Sequence, residues 1–148
     1  MTPKSPPPPV MSPDSIEAQF YEAMQQADLE KLMAVWADDE DIACVHPGGL
    51  RLLGAGAIRA SFEAIFANAA IDVHPDKVQR LHSHSSAVHH VIERVQQTPP
   101  GGVPQKAFVI VTNVYLLTEK GWRMVLHHAS PGTTRELQEI SEAPSTLH

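Results

Sequence analysis

One cysteine, Cys44, is all that the 148 residues supply, so no disulfide can close within the chain, and a reducing compartment fits the composition. The cytoplasm is the expected location. Basic residues are few, 11 Lys and Arg against 17 Asp and Glu, and they form no cluster or stripe. A formal charge of −6 therefore argues against DNA or RNA as a partner, because phosphate binding needs concentrated positive charge. No stretch approaches the roughly 18 apolar residues that a membrane span needs, and the opening MTPKSPPPPVMSP lacks the apolar run of a signal peptide. Paired cysteines, an HExxH helix and a Ser/His/Asp pattern are all missing. Gly54-Ala55-Gly56 has neither the lysine nor the spacing of a phosphate loop. No cofactor is expected.

What is present reads as one domain with an ordinary core, 43% of residues being apolar. Residues 1–13 form a proline-rich leader whose few apolar side chains cannot offset ordering entropy, and it is expected to be disordered. A domain over residues 14–131 follows, then a flexible tail, 132–148, with a helical turn near Glu136 to Ile140. Within the domain, Ile16, Phe20, Ala23, Met24 and Ala27 recur near a 3.6 period and predict a first helix, capped by Asp14 or Ser15. Asp28 caps a second helix with Leu29, Leu32, Met33 and Trp36 on one face, ended by the acidic run Asp38 to Asp41. Ile42, Cys44 and His46 then alternate on a short strand that Pro47 and Gly48-Gly49 terminate, and Leu50 to Leu53 returns. Gly54 to Asn68 carries a helical stripe of Ile58, Phe62, Ile65 and Phe66. Four long antiparallel strands close the domain: Ile71 to His84, Ala87 to Gln97, Lys106 to Thr118 and Gly121 to Ser130. The order makes an α+β fold, three N-terminal helices packed on a curved, mainly antiparallel sheet around a cone-shaped cavity.

Three stretches, ADLEKLMAVWADDEDIACVHPGG, GAGAIRASFEAIF and NVYLLTEKGWRMVLHHASPG, make the chain resemble the NTF2-like superfamily, specifically its SnoaL-like and ketosteroid-isomerase-like branch, from about Asp14 to Pro131. The resemblance implies the cone-shaped (cystatin-like) fold, an apolar pocket and a two-fold dimer. In steroid isomerases of this fold a carboxylate moves the proton, and a tyrosine and a protonated aspartic acid hydrogen-bond the enolate. Matching residue by residue puts His46 at the carboxylate, Phe20 at the tyrosine with Tyr21 next along, and Asn113 at the protonated acid. The residue set of steroid isomerisation is thus incomplete.

His46 and Asn113 are nonetheless a sensible pair for proton abstraction beside a carbonyl or for water elimination, an imidazole serving as base near neutral pH and an amide as oxyanion donor. The bland alternatives are a turn-capping histidine and an amide tying strands together. Tyr115 shares the face of Asn113, and alternation groups Trp122, Met124, Leu126, His128 and Ser130, with Arg123, Val125, His127 and Ala129 opposite. Phe20, Trp36, Tyr115, Trp122 and His128 are the expected pocket lining. Of nine histidines, His82 and His84 form an HxH near His74 and His89-His90, but nothing in their spacing demands a metal and none is expected. Val109, Val111, Val114, Leu116, Val125 and Leu126 supply apolar residues to both sheet faces, so the convex face is expected to pack on a second copy. The functional expectation is a small-molecule-binding protein, with isomerase or dehydratase chemistry through His46. The other class is a non-catalytic ligand-binding or oligomeric assembly module.

Overall fold

The computed structural model describes residues 12–133, and there the chain forms three helices and six strands. Helix α1 (Pro13–Gln26) starts at Ser12, not at Asp14 or Ser15. The Ser12 hydroxyl accepts from the Ser15 amide at 3.1 Å, and the Ser15 hydroxyl accepts from the Ser12 amide at 2.8 Å. This reciprocal cap leaves Pro13 at the first helical position, where the absent N–H costs nothing. Leader residues 1–11, and the expected turn at Glu136 to Ile140, lie outside the described residues.

Helix α2 (Leu29–Met33) is capped by Asp28 as expected but stops well short of Trp36. The chain leaves it to dock beside strand β6 (Gly121–Pro131): the Ala37 amide donates to Met124 O at 2.9 Å, and the Met124 amide donates to Val35 O at 2.8 Å. Pairing with the sheet has outcompeted helix propensity, and Trp36 is a bridge residue. Strands β1 (Ala43–Val45) and β2 (Arg51–Leu53) form the short hairpin, turned at Gly48, whose φ of +72° favours a residue without a Cβ. Helix α3 (Gly54–Asn68) follows, then β3 (Asp72–His82), β4 (Ser86–Gln97) and β5 (Gln105–Thr118).

The strands make one sheet in the order β2-β1-β6-β5-β4-β3. All neighbours are antiparallel except β1 and β6. The helices cover one face, and the main core lies between: Ile16, Phe20 and Met24 of α1, Leu32 of α2 and Ile58 and Phe62 of α3 close on Val73, Ala87, Tyr115 and Met124. The architecture is the expected α+β one.

Register gives each face its chemistry. On the covered face Arg80, His89, Asn113, His127 and Cys44 are successive cross-strand partners, a polar row across five strands. On the opposite face Leu81, Val88, Val114 and Leu126 form an aliphatic row in the same way. In β6 the alternation breaks. Val114 pairs with Leu126 but Tyr115 pairs with Met124, so Val125 is the extra residue of a β-bulge. Beyond it the faces exchange: His127 and Ala129 are buried and His128 is exposed, the reverse of what strict alternation predicts.

Candidate functional site

A cavity of about 200 Å³ opens between α1, α3 and the sheet, walled by Met24, Phe62, Ile65, Ile71, Val73, Val95, Val109 and Ala129. Three groups with chemistry interrupt this apolar wall: His46, Glu93 and His127. His46 stands at the end of β1 where Pro47 stops the strand, its ring edge-on to Phe62 with centroids 5.0 Å apart and its Nε2 2.8 Å from Ser61 Oγ. Burial pushes its pKa below 6.5, so the imidazole is neutral at neutral pH.

Behind the cavity α1 meets the polar row of the sheet. Glu17 and Tyr21, one turn apart on α1, are both buried. Glu17 Oε2 accepts from Tyr115 Oη at 2.7 Å, from Asn113 Nδ2 at 3.2 Å and from His89 Nδ1 at 2.8 Å. Reversing the Asn113 amide would set its oxygen against that carboxylate, so the nitrogen faces Glu17 and Oδ1 faces His127. The proton of the 2.6 Å contact between His127 Nδ1 and Asn113 Oδ1 then belongs to the imidazole. Desolvation, with His46 and His128 nearby, lowers the His127 pKa to about 3. His127 is therefore a neutral Nδ1–H tautomer whose Nε2 keeps its lone pair, with no protein partner among the described residues.

The same logic fixes Glu93. Asn113 Nδ2 also donates to Tyr21 Oη at 3.2 Å, so the phenol turns its own proton to Glu93 Oε2 at 2.6 Å. Burial raises the Glu93 carboxyl to about 7, the Tyr21 hydrogen bond opposing the shift and the charge of Glu17 adding to it. Tyr21 and Tyr115 are themselves raised well above 10, chiefly by burial, and stay protonated donors. Cys44, beside His46 on β1, is pushed up by burial to about 12 and is no nucleophile.

Residues 14–134 match the SnoaL-like domain. The chain belongs to the SnoaL-like family. Two solved structures share about a third of its sequence. One, from Thiobacillus denitrificans, is provisionally named as a calcium/calmodulin-dependent protein kinase type II association domain. It is 32% identical over 86% of this chain and 100% of its own, with a TM-score of 0.74. The other, from Streptomyces avermitilis, is provisionally named as a dehydratase of the NTF2-like family, 31% identical over 80% of this chain and 92% of its own, with a TM-score of 0.72. A ketosteroid isomerase-like protein from Erwinia carotovora atroseptica shares the fold, at 15% identity over 81% of this chain and 93% of its own and a TM-score of 0.65. No curated protein matches the chain. No helix among the described residues is long and apolar enough to cross a membrane.

In this SnoaL-like chain His46 reaches the cavity wall, whereas Asn113 stands behind it and reaches it through His127 and, by way of Tyr21, through Glu93. The five residues expected to line the pocket lie elsewhere, for identifiable reasons. Phe20 is fully buried among Tyr21, Trp36, Phe62 and His127, where α1 crosses the sheet. Trp36 is drawn onto β6 by the backbone bridge, and its indole Nε1 is buried without a partner among the described residues. Tyr115 is spent on Glu17. Trp122 packs at the edge of the main core, and His128 is turned outward by the bulge at Val125. Glu93 and His127 are the residues that sequence reasoning missed. Glu93 left a signal, since Ala87, His89, Val91, Glu93 and Val95 alternate on one face of β4. His127 left none, because nothing in GWRMVLHHAS marks the bulge.

Proposed function

We propose that this protein binds a small, mostly apolar organic carbonyl compound in the cavity and that Glu93 moves a proton on it, in an isomerisation or a dehydration. The observation that carries the reading is Glu93, the one carboxyl among the described residues of a mostly apolar wall, with its pKa raised to about 7 and its Oε2 held by Tyr21. A group with that pKa takes and returns a proton at neutral pH with little penalty in either direction. The ionised carboxylate removes a proton from the carbon beside the carbonyl, and the electron pair moves into the carbonyl to give an enolate. Protonated Glu93 then returns the proton to a conjugated carbon, which is isomerisation, or gives it to a β-hydroxyl that leaves as water. Neutral His127 and His46 border the same space, and Asn113 acts as the positioning residue that fixes the tautomer of His127.

Size narrows the ligand. A dry cavity of about 150 Å³ holds benzene, so a cavity of about 200 Å³ suits a single substituted ring rather than a steroid. The family's provisionally named dehydratase supports the reaction class. The test follows exchange of the α-protons of small cyclic ketones in D2O by NMR. Wild type should accelerate exchange, and Glu93→Gln should lose at least 100-fold while its chemical-shift changes on ligand binding persist. Exchange that survives the substitution would end the reading.

A second reading, assembly through the open sheet face, is favoured by a specific feature, the aliphatic row Leu81, Val88, Val114 and Leu126, which no helix or strand among the described residues covers. The provisionally named association domain at 32% identity supports it. The two readings use opposite faces of the sheet and are compatible.

A further inference from the structure

On the far side of the network from the cavity, three metal-ligating side chains converge where α1 meets β3 and β4. We propose that Asp14, His82 and His89 bind a divalent first-row transition ion such as Zn²⁺. Their ligand atoms all lie within 4.8 Å of one another. His89 Nε2 is 2.8 Å from His82 Nε2 and 3.7 Å from Asp14 Oδ1. The two rings are only 17° from parallel with centroids 5.1 Å apart, so they meet edge to edge through their Nε2 atoms. Such a contact needs a single shared proton, and a metal ion can replace it. Tetrahedral zinc at roughly 2.0–2.1 Å from each nitrogen sets the two nitrogens roughly 3.3 Å apart. His82 is exposed at the end of β3, so its side chain is free to move apart and turn its ring until both Nε2 lone pairs meet one ion.

The surroundings are those of a ligand set. His89 is fully buried, and its other nitrogen, Nδ1, donates to the Glu17 carboxylate at 2.8 Å, which holds the ring and directs the Nε2 lone pair toward His82 and Asp14. A carboxylate behind a histidine is the usual support of a metal-bound imidazole, raising its basicity and fixing its tautomer. Arg80 Nε donates to Asp14 Oδ1 at 2.8 Å, and the carboxylate has a second oxygen to offer an ion. Access is open, because Asp14 and Arg80 also border a groove of about 450 Å³ between α1 and β3. Two imidazoles and one carboxylate favour zinc, copper, nickel or cobalt over magnesium or calcium, whose shells are built from oxygen.

The site lies outside the cavity, and its test needs no substrate. The full-length chain, free of any histidine tag, is titrated with Zn²⁺ by isothermal calorimetry and with Co²⁺ by visible absorption. The expected result is a site of one ion per chain that His82→Ala and Asp14→Asn each weaken at least tenfold. His84→Ala and His90→Ala, on the hairpin turn and the opposite face, should leave it unchanged. Both ligand variants alter exposed side chains, so folding is preserved, and circular dichroism verifies it. Equal affinity in His82→Ala, or no stoichiometric uptake at millimolar zinc, overturns the proposal.

Discussion

Burial moves the pKa values of two groups in this protein far from their values in water, and the two shifts pull stability in opposite directions. His127, at about 3 against an ordinary 6.5, resists protonation in the fold, so it destabilises the native state as pH falls from 6.5 toward 3. Glu93 does the reverse. Its folded carboxyl, at about 7 against 4.5, holds a proton more tightly than the unfolded chain does, so its stabilising contribution is complete below 4.5 and is lost as pH rises through 7. Glu93→Gln keeps a neutral side chain at every pH and removes that dependence alone. The stability of wild type relative to Glu93→Gln should therefore decline between pH 4.5 and 7, by at most about 1.4 kcal/mol per pH unit, and level off above. Paired urea titrations across that range measure it, and a pH-independent difference would show that Glu93 is not held protonated by burial. Neither group could be read as shifted from the sequence, because the shift comes from desolvation by residues far away in the chain. What the sequence did carry was His46, seated by the local sequence VHPGG, in which Pro47 and the glycines end the strand just past it.

At the level of elements, the local rules that hold are those with local causes. The 3.6 period of α1 and α3, the Asp28 cap and the hairpin at Gly48 are all written within a few residues, and each is found close to its expected place. The departures come from partners that only the fold supplies: α2 yields to pairing with β6, and the bulge at Val125 reverses one end of that strand. A one-residue slip moves every later side chain to the other face, which is why the sequence pointed to His128 and the structure buries His127. Helix α1 has the largest role among the helices, since it alone delivers Glu17 and Tyr21 to the sheet, and its start rests on the reciprocal cap of Ser12 and Ser15. Ser12→Ala removes the acceptor for the Ser15 amide and should cost about 1 kcal/mol of global stability. Thermal unfolding reads that as a fall of roughly 2–4 °C for a domain of this size. No change in melting temperature would mean that tertiary packing, not the cap, sets where α1 begins.

For the whole molecule, the assembly reading sets the open face of the sheet against a second copy. Leu81 is 76% exposed and Leu116 is 42% exposed, and on the same face Val88 and Ile92 of β4, Ile110 and Val114 of β5 and Leu126 of β6 are only half covered in the single chain. Cross-strand partners place Leu81, Val88, Val114 and Leu126 in one row, so the apolar surface is continuous rather than scattered. A face of this kind on a twisted sheet is best covered by the same face of a second copy, since a two-fold axis repeats the complementarity without requiring a second surface. Val114 lies near the middle of the row and points away from the core and the cavity. Val114→Lys places a charge on that face from each copy, and like charges buried against an apolar partner oppose association far more than they disturb the monomer. The expected outcome is a wild-type dimer and a monomeric variant in sedimentation velocity at micromolar concentration, with an unchanged circular dichroism spectrum. Because the helix-covered face is untouched, proton exchange through Glu93 should survive in the monomer. A variant that still dimerises would move the interface off this face.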